Sequence, residues 1–339
     1  MTRGTSTPTL PVHWAGADLA KASLDLALWG HEDLPQRRVR PFPRTQSGAA
    51  ELLAWMKAQA PEGTRFGLVM EATGPFAEEL ATWLSGLDPE LHLAIVNPVQ
   101  SHAYIKSLGL RNKTDNLDAR ALAGFGSERK PRAWEKPSPA FAELKDLTRI
   151  RADLVDTRVA MRLRLKDHPR AAKGATRALE QVIKAFDQQI GKLEAAIRAH
   201  LKRHETLGTQ VKRLTSIKGV GLITAVTIVG ELGDLRRFIR SRQLTAFAGV
   251  SPRKKESGTS VRGTTRLCKQ GNARVRAVLY MAAMSAVRSN PDLADAYARL
   301  LSGGHHWRAA LGAVMRKLLI LMRAVLKAEH NWVPRIQAS

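Results

Sequence analysis

Cysteine occurs once in 339 residues, at Cys268, so no disulfide framework can form. Neither paired cysteines nor a Cys/His cluster at zinc-ligand spacing is evident, and a reducing cytoplasmic setting is expected. Aromatic residues make up only 5%, which leaves no evident base-stacking platform of the single-strand-binding type. The longest apolar runs, such as 222–230, are too short to span a bilayer. Residues 1–10 are polar and threonine-rich, unlike the apolar core of a signal peptide. A soluble protein without a membrane partner is therefore expected. Acidic residues are also scarce, 30 against 54 lysines and arginines, for a formal net charge of +24. A small basic excess merely keeps a surface solvated, but one this large and this unevenly placed points to a polyanion, nucleic acid first.

What is present suffices for a core: 44% of residues are apolar, over a length typical of two or three structural units. Residues 12–30 read as a strand, a turn at 18–21 and a second strand with alternating Leu24, Leu26 and Leu28. A third strand is expected at 38–42, then a helix with Ser47 as its N-cap. An apolar strand, 66–70, ends at Glu71 and is followed by Ala72-Thr73-Gly74-Pro75 and another helix. One more strand at 91–96 stops at Asn97-Pro98, and two helices follow, the second beginning near Thr114. The first 130 residues thus form an α/β unit.

Beyond a proline-bearing linker at 131–139 the pattern turns to long helices, 141–166 and then a run through 201. Leu179, Ile183, Phe186, Ile190, Leu193 and Ile197 are spaced 4, 3, 4, 3, 4, the apolar seam of a coiled coil. That seam suits a dimerisation or spacer arm and equally suits a helix packed within one chain. From 211 a third, helical unit begins. Its Lys218-Gly219-Val220-Gly221 turn between helices resembles a helix-hairpin-helix motif, in which glycines let backbone N–H groups reach a phosphate. Residues 236–276 follow with twelve basic side chains against the single acidic Glu256, a stretch suited to phosphates. Apolar helices at 275–287 and 309–326 close the chain. The expected division is 1–130, an RNase H-like α/β domain; 131–208, a helical coiled-coil arm; and 209–339, an all-α domain with the hairpin-like motif.

Cleaving a phosphodiester with metal ions takes several carboxylates converging on Mg²⁺, because hard cations prefer oxygen. Asp18 follows the first strand, Glu71 ends an apolar strand where a bare charge is costly, and Asp115 and Asp118 share one face at a helix start. Singly, each has a plainer reading as a turn residue, a solvated charge or a helix-dipole partner. Together they favour a metal site, in a layout like the RNase H-like fold of Holliday-junction resolvases.

These residues also carry a family resemblance. Gly16-Ala17-Asp18-Leu19-Ala20-Lys21, Met70-Glu71-Ala72-Thr73-Gly74-Pro75 and Lys113-Thr114-Asp115-Asn116-Leu117-Asp118-Ala119 resemble the three acidic motifs of the DEDD-type insertion-sequence transposases, described as bridge-RNA-guided recombinases. In the C-terminal unit, 214–221, Phe247-Ala248-Gly249-Val250-Ser251-Pro252-Arg253, Ser257-Gly258 and Lys269-Gln270-Gly271-Asn272 resemble that family's second domain in the same order. The resemblance implies that Asp18, Glu71, Asp115 and Asp118 hold Mg²⁺ while Ser257 attacks DNA and becomes covalently joined to it. By residue type alone Ser257 is a turn serine, and Ser260 stays open as the nucleophile, because Glu256-Ser257-Gly258-Thr259 departs from the two serines and two glycines usual there. Lys218, Gly219, Gly221, Arg253, Lys254, Lys255, Arg262, Arg266, Lys269, Arg274 and Arg276 are the expected nucleic-acid contacts. Double-stranded DNA, a structured guide RNA and further copies of the chain, as a dimer or tetramer, are the implied partners. A resolvase-like nuclease using metal-activated water and a non-enzymatic nucleic-acid-binding protein are the alternatives.

Overall fold

The computed structural model describes residues 13–29, 39–72, 74–109, 115–168, 172–253, 256–257, 261–262, 266–268 and 270–334. The chain divides into two compact units, Met1–Lys136 and Pro137–Ser339.

The first unit is mixed α/β. Strands β1 (His13–Leu19), β2 (Ser23–Leu28), β3 (Val39–Pro43), β4 (Phe66–Glu71) and β5 (His92–Val96) form one sheet in the order β3-β2-β1-β4-β5. The pairs β1·β2 and β2·β3 are antiparallel, whereas β1·β4 and β4·β5 are parallel. Helices α1 (Gln46–Lys57) and α2 (Phe76–Leu87) belong with one face of the sheet, where Ala15, Ala17, Leu24, Leu26, Leu68 and Met70 are buried with Leu52 and Leu80. Alternate residues face the other way. There Trp14, Val69, Ala94 and Val96 cluster with Tyr104 of α3 (Pro98–Ser107) and Leu122 and Phe125 of α4 (Asp115–Arg129).

Two details differ from expectation. Asp18 lies inside β1 rather than in the turn, because the chain reverses later, where the Ala20 N–H donates to the Ser23 carbonyl at 2.9 Å. The N-cap of α1 is Thr45, not Ser47: the Thr45 hydroxyl accepts from the Gly48 N–H at 3.0 Å, satisfying a donor that the first turn leaves open.

The second unit opens with α5 (Pro139–Asp167) and α6 (Lys173–Arg203), which run antiparallel. Their register is fixed by pairs whose numbers rise on one helix as they fall on the other: Arg203 to Glu143, Arg151 to Glu194 and Arg158 to Asp187. Ile183, Ile190 and Ile197, seven residues apart, are the buried members of the seam, which packs within the chain. Ile150, Val159, Leu163 and Val182 stay exposed on this hairpin.

Next come α7 (Glu205–Thr215), α8 (Leu222–Leu232) and α9 (Ser241–Phe247). Then follow α10 (Ala273–Ser289), α11 (Pro291–Ser302) and α12 (Trp307–Ala328). Their apolar faces close on one core through Leu214, Val226, Leu244, Leu279, Leu293 and Leu318. Helix α11 was not foreseen: Asn290 and Pro291 end α10 but also start a new helix, with the Asn290 Oδ1 accepting from the Leu293 N–H and proline at N1. The unit is not purely helical either. Two-residue strands β6 (Pro252–Arg253), β7 (Glu256–Ser257), β8 (Val261–Arg262) and β9 (Arg266–Leu267) pair as β6·β9 and β7·β8.

Candidate active site

Helix α4 meets the sheet at Gly16. A Cβ there would overlap the Ala119 carbonyl oxygen and the Ala123 nitrogen, so only glycine lets the α4 backbone lie against β1. Asp18, two residues along β1, therefore projects from the same face, and Asp118 precedes the contact residue Ala119 on α4. Glu71 stands two residues beyond Val69 on the neighbouring parallel strand and shares that face. The antiparallel register adds a carboxylate that the sequence reading omitted, since Asp25 of β2 lies directly opposite Asp18.

Glu71 is held from α3. Ser101, buried to 1%, donates its hydroxyl to Glu71 Oε2 at 2.7 Å, and His102 Nε2 lies 3.9 Å from the same oxygen. Asn97 sets this geometry by capping α3, its Oδ1 accepting from the Val99 N–H at 2.9 Å. Ser101 and His102 carried no signal in sequence, because only the fold brings α3 to the end of β4.

Asp115 begins α4, but its side chain lies outside the described residues. Asp18, Glu71 and Asp118 share a face without all closing to metal-ligand distance. Among the described residues the group whose ligand atoms all lie within 4.8 Å of one another is Glu143, His200 and His204. The four-residue spacing of the two histidines was its only sequence signal, because Glu143 reaches them only once α5 lies beside α6.

In the second unit the structure gives the glycine turn a packing reason. Gly219 has φ +96°, and a Cβ on it would stand 2.6 Å from the Ala286 Cα of α10. Lys218 offers its carbonyl to Asn290 Nδ2 at 3.3 Å. Gly221 is the N-cap of α8, and a Cβ there would meet nothing within 4 Å, so this end of the helix is sterically open. Residues 251–268 leave and rejoin the helical body at one neck: the Cys268 N–H donates to the Ser251 carbonyl at 2.8 Å, and Pro252 pairs with Leu267. Beyond the neck Ser257 pairs with Val261 and Glu256 with Arg262.

The side chains of Ser257, Arg253, Arg262 and Arg266, and the whole of Lys254, Lys255, Ser260 and Lys269, lie outside the described residues. Arg274 and Arg276 are engaged inside the unit: Arg274 Nη2 donates to Asp153 Oδ1 at 2.8 Å, and Arg276 Nη1 to the Gly271 carbonyl at 2.7 Å. Arg236 likewise grips Asp234 and Glu329.

Comparison with known proteins agrees with both units. Residues 15–170 match a transposase model of the DEDD IS110 type, and residues 211–298 match the Transposase IS116/IS110/IS902 family. The pilin gene-inverting proteins of Moraxella bovis and Moraxella lacunata are each 28% identical over 324 residues, 95% of this chain and 98% of theirs. The transposase for insertion sequence element IS1111A of Coxiella burnetii is 29% identical over 259 residues, 67% of this chain and 68% of its own. The chain belongs to the IS110 family of transposases and recombinases, enzymes that modify DNA.

Proposed function

We propose that this enzyme cuts and rejoins the DNA of an insertion sequence and its target. In this reading an RNase H-like domain holds Mg²⁺ through Asp18, Glu71, Asp115 and Asp118, and Ser257 of the C-terminal domain is the nucleophile. The observation that carries the metal half is the shared face: carboxylates at the ends of β1 and β4 and near the start of α4, drawn together by the Gly16 contact. The donor set suits the ion, since all four ligands are hard carboxylate oxygens. Bound there, Mg²⁺ supplies positive charge for a phosphate and for an ionising hydroxyl. Ser101 and Asn97 keep Glu71 aimed at that face.

The chemistry proposed for Ser257 is a transesterification. Its Oγ forms a bond to phosphorus as a DNA P–O bond breaks, and the departing strand end leaves as a hydroxyl, taking up a proton in place of the one the serine loses. Rejoining reverses these events on a new strand. Positive charge from Lys254, Lys255 and Arg262 offsets charge building on the phosphate oxygens. The β7·β8 pairing supports this assignment by holding the Ser257 backbone on a paired strand.

The remaining parts follow the family pattern and the charge of +24. Double-stranded element and target DNA, and a structured guide RNA, lie along Lys218, Gly219, Gly221, Arg253, Lys254, Lys255, Arg262, Arg266 and Lys269, while Arg274 and Arg276 brace the body behind them. The domains are 1–130, 131–208 and 209–339, with the helical arm and its exposed Ile150, Val159 and Leu163 serving assembly of a homo-oligomer in the cytoplasm. The name of the Moraxella relatives, which invert a gene, supports recombination in this reading.

The decisive experiment incubates the protein with Mg²⁺, element DNA and co-purified RNA, then denatures it and looks for DNA bound covalently to protein. An adduct that survives Ser260→Ala and disappears in Ser257→Ala is expected. Cleavage without an adduct would instead indicate a nuclease using metal-activated water.

A further inference from the structure

His200 closes the last turn of α6 and is fully buried. Its Nε2 lies 2.9 Å from the Ala140 carbonyl oxygen, which can only accept, so Nε2 carries a ring hydrogen. The other ring nitrogen, Nδ1, is buried without a hydrogen-bond partner yet faces Glu143 Oε1 at 3.2 Å. A nitrogen lone pair set against a carboxylate oxygen needs positive charge between them. A proton on Nδ1 or a metal ion between the two atoms would supply it.

A second imidazole completes the group. His204 follows His200 by four residues at the junction of α6 and α7, and the two ring centroids are 4.5 Å apart. Glu143 comes from the first turns of α5 and is exposed, which leaves the group open to water on one side. Arg203 Nη2 also donates to Glu143 Oε1 at 2.8 Å, and a carboxylate has lone pairs enough for this bond and a metal. A metal-bound histidine ordinarily gives its other N–H to a backbone carbonyl, as His200 does here.

We propose that Glu143, His200 and His204 form a second metal site, for a zinc-class transition ion, with water in the fourth position. Two imidazoles and one carboxylate suit zinc or cobalt, whereas magnesium prefers oxygen alone. The site joins α5, α6 and α7 at the base of the helical hairpin, so its role is to fasten the hairpin rather than to cut DNA. It shares no residue with the acidic face of the first unit.

The test uses the full-length protein, stripped with chelator and titrated with Zn²⁺ or Co²⁺ under excess Mg²⁺. One equivalent should bind, Co²⁺ should give the visible absorption of an imidazole-ligated site, and the unfolding midpoint should rise with Zn²⁺ but not with equal added Mg²⁺. Because His200 is buried, its replacement would test folding and binding together, so His204→Gln and Glu143→Gln carry the test. Each should weaken Zn²⁺ binding by at least about tenfold, the low end for even an outer partner of a metal ligand. Both should keep the wild-type circular dichroism, and Asp118→Asn should keep the wild-type Zn²⁺ affinity. Absence of stoichiometric Zn²⁺ binding at micromolar concentration, or wild-type affinity in both variants, would overturn the site, as would loss of binding in Asp118→Asn alone.

Discussion

Asn272 Nδ2 donates to Glu231 Oε2 at 2.7 Å, while Arg149 grips the same carboxylate through Nε at 2.6 Å and Nη2 at 2.8 Å. Asn272 also caps α10, its Oδ1 accepting from the Val275 N–H. The Glu231 side chain is 1% exposed, so this asparagine of the Lys-Gln-Gly-Asn motif serves the architecture of the unit, tying α10 to α8 and α5.

Removing one partner of a buried charge pair leaves the other uncompensated, at about 3–5 kcal/mol. Arg149 is one-third exposed, so Glu231→Gln should cost about 3 kcal/mol, and Asn272→Ala about 1–3 kcal/mol through the lost cap and the lost bond to a carboxylate. Urea unfolding should show both as a lower midpoint with an unchanged slope.

The same carboxylate sets a pH dependence. Burial pushes Glu231 up, but Arg149, Asn272 and Lys145 outweigh it and hold the group below its ordinary value. A lowered folded pKa gives stability that is present above the unfolded value of about 4.3 and lost as pH falls through the folded one. Acid unfolding of the second unit should therefore steepen below about pH 4.3, and Glu231→Gln should flatten that limb. An unchanged limb would show that other groups govern acid unfolding.

At the sheet, Gly16→Ala should push α4 off β1, because the added methyl meets backbone rather than a movable side chain. Overpacking of this kind costs about 1–3 kcal/mol, and strand exchange should fall with it because Asp118 moves. Equal stability of Gly16→Ala and wild type in thermal unfolding would refute the contact.

Asp18→Asn should behave in the opposite way. Strand exchange should be lost while the unfolding midpoint stays within a few degrees of wild type, since a partly buried residue near the end of its strand loses charge but not shape. Loss of the fold instead would make Asp18 a structural residue.

DNA affinity should fall steeply with salt, the logarithmic slope being about −0.9 per phosphate neutralised. Replacing Lys254 and Lys255 together by alanine should flatten that slope by roughly two phosphates' worth. Arg276→Ala should chiefly lower stability, because its guanidinium serves the Gly271 carbonyl.

Strands β1, β2, β4 and β5 were legible because each carries either alternation or an apolar run, with Glu71 standing at the end of β4. The expected cap Ser47 gives way to Thr45 because hydroxyls two residues apart look alike until the end of β3 is known. Strands β6 to β9 have two residues each, too few for any period to register. Asp25 needed the hairpin register, Ser101 needed α3 folded against β4, and Glu143 with His200 needed two helices lying side by side. Such pairings are properties of topology, and local pattern does not contain them.

The neck at Ser251 and Cys268 makes the segment between them a closed appendix to a finished core. The entropy of holding such a loop shut rises only as the logarithm of its length, about 0.6 kcal/mol for each doubling. Insertions and deletions beyond the neck are therefore almost free for the body that carries them. Evolution or an engineer can change the length of this segment like an interchangeable fitting while its holder keeps the same stability.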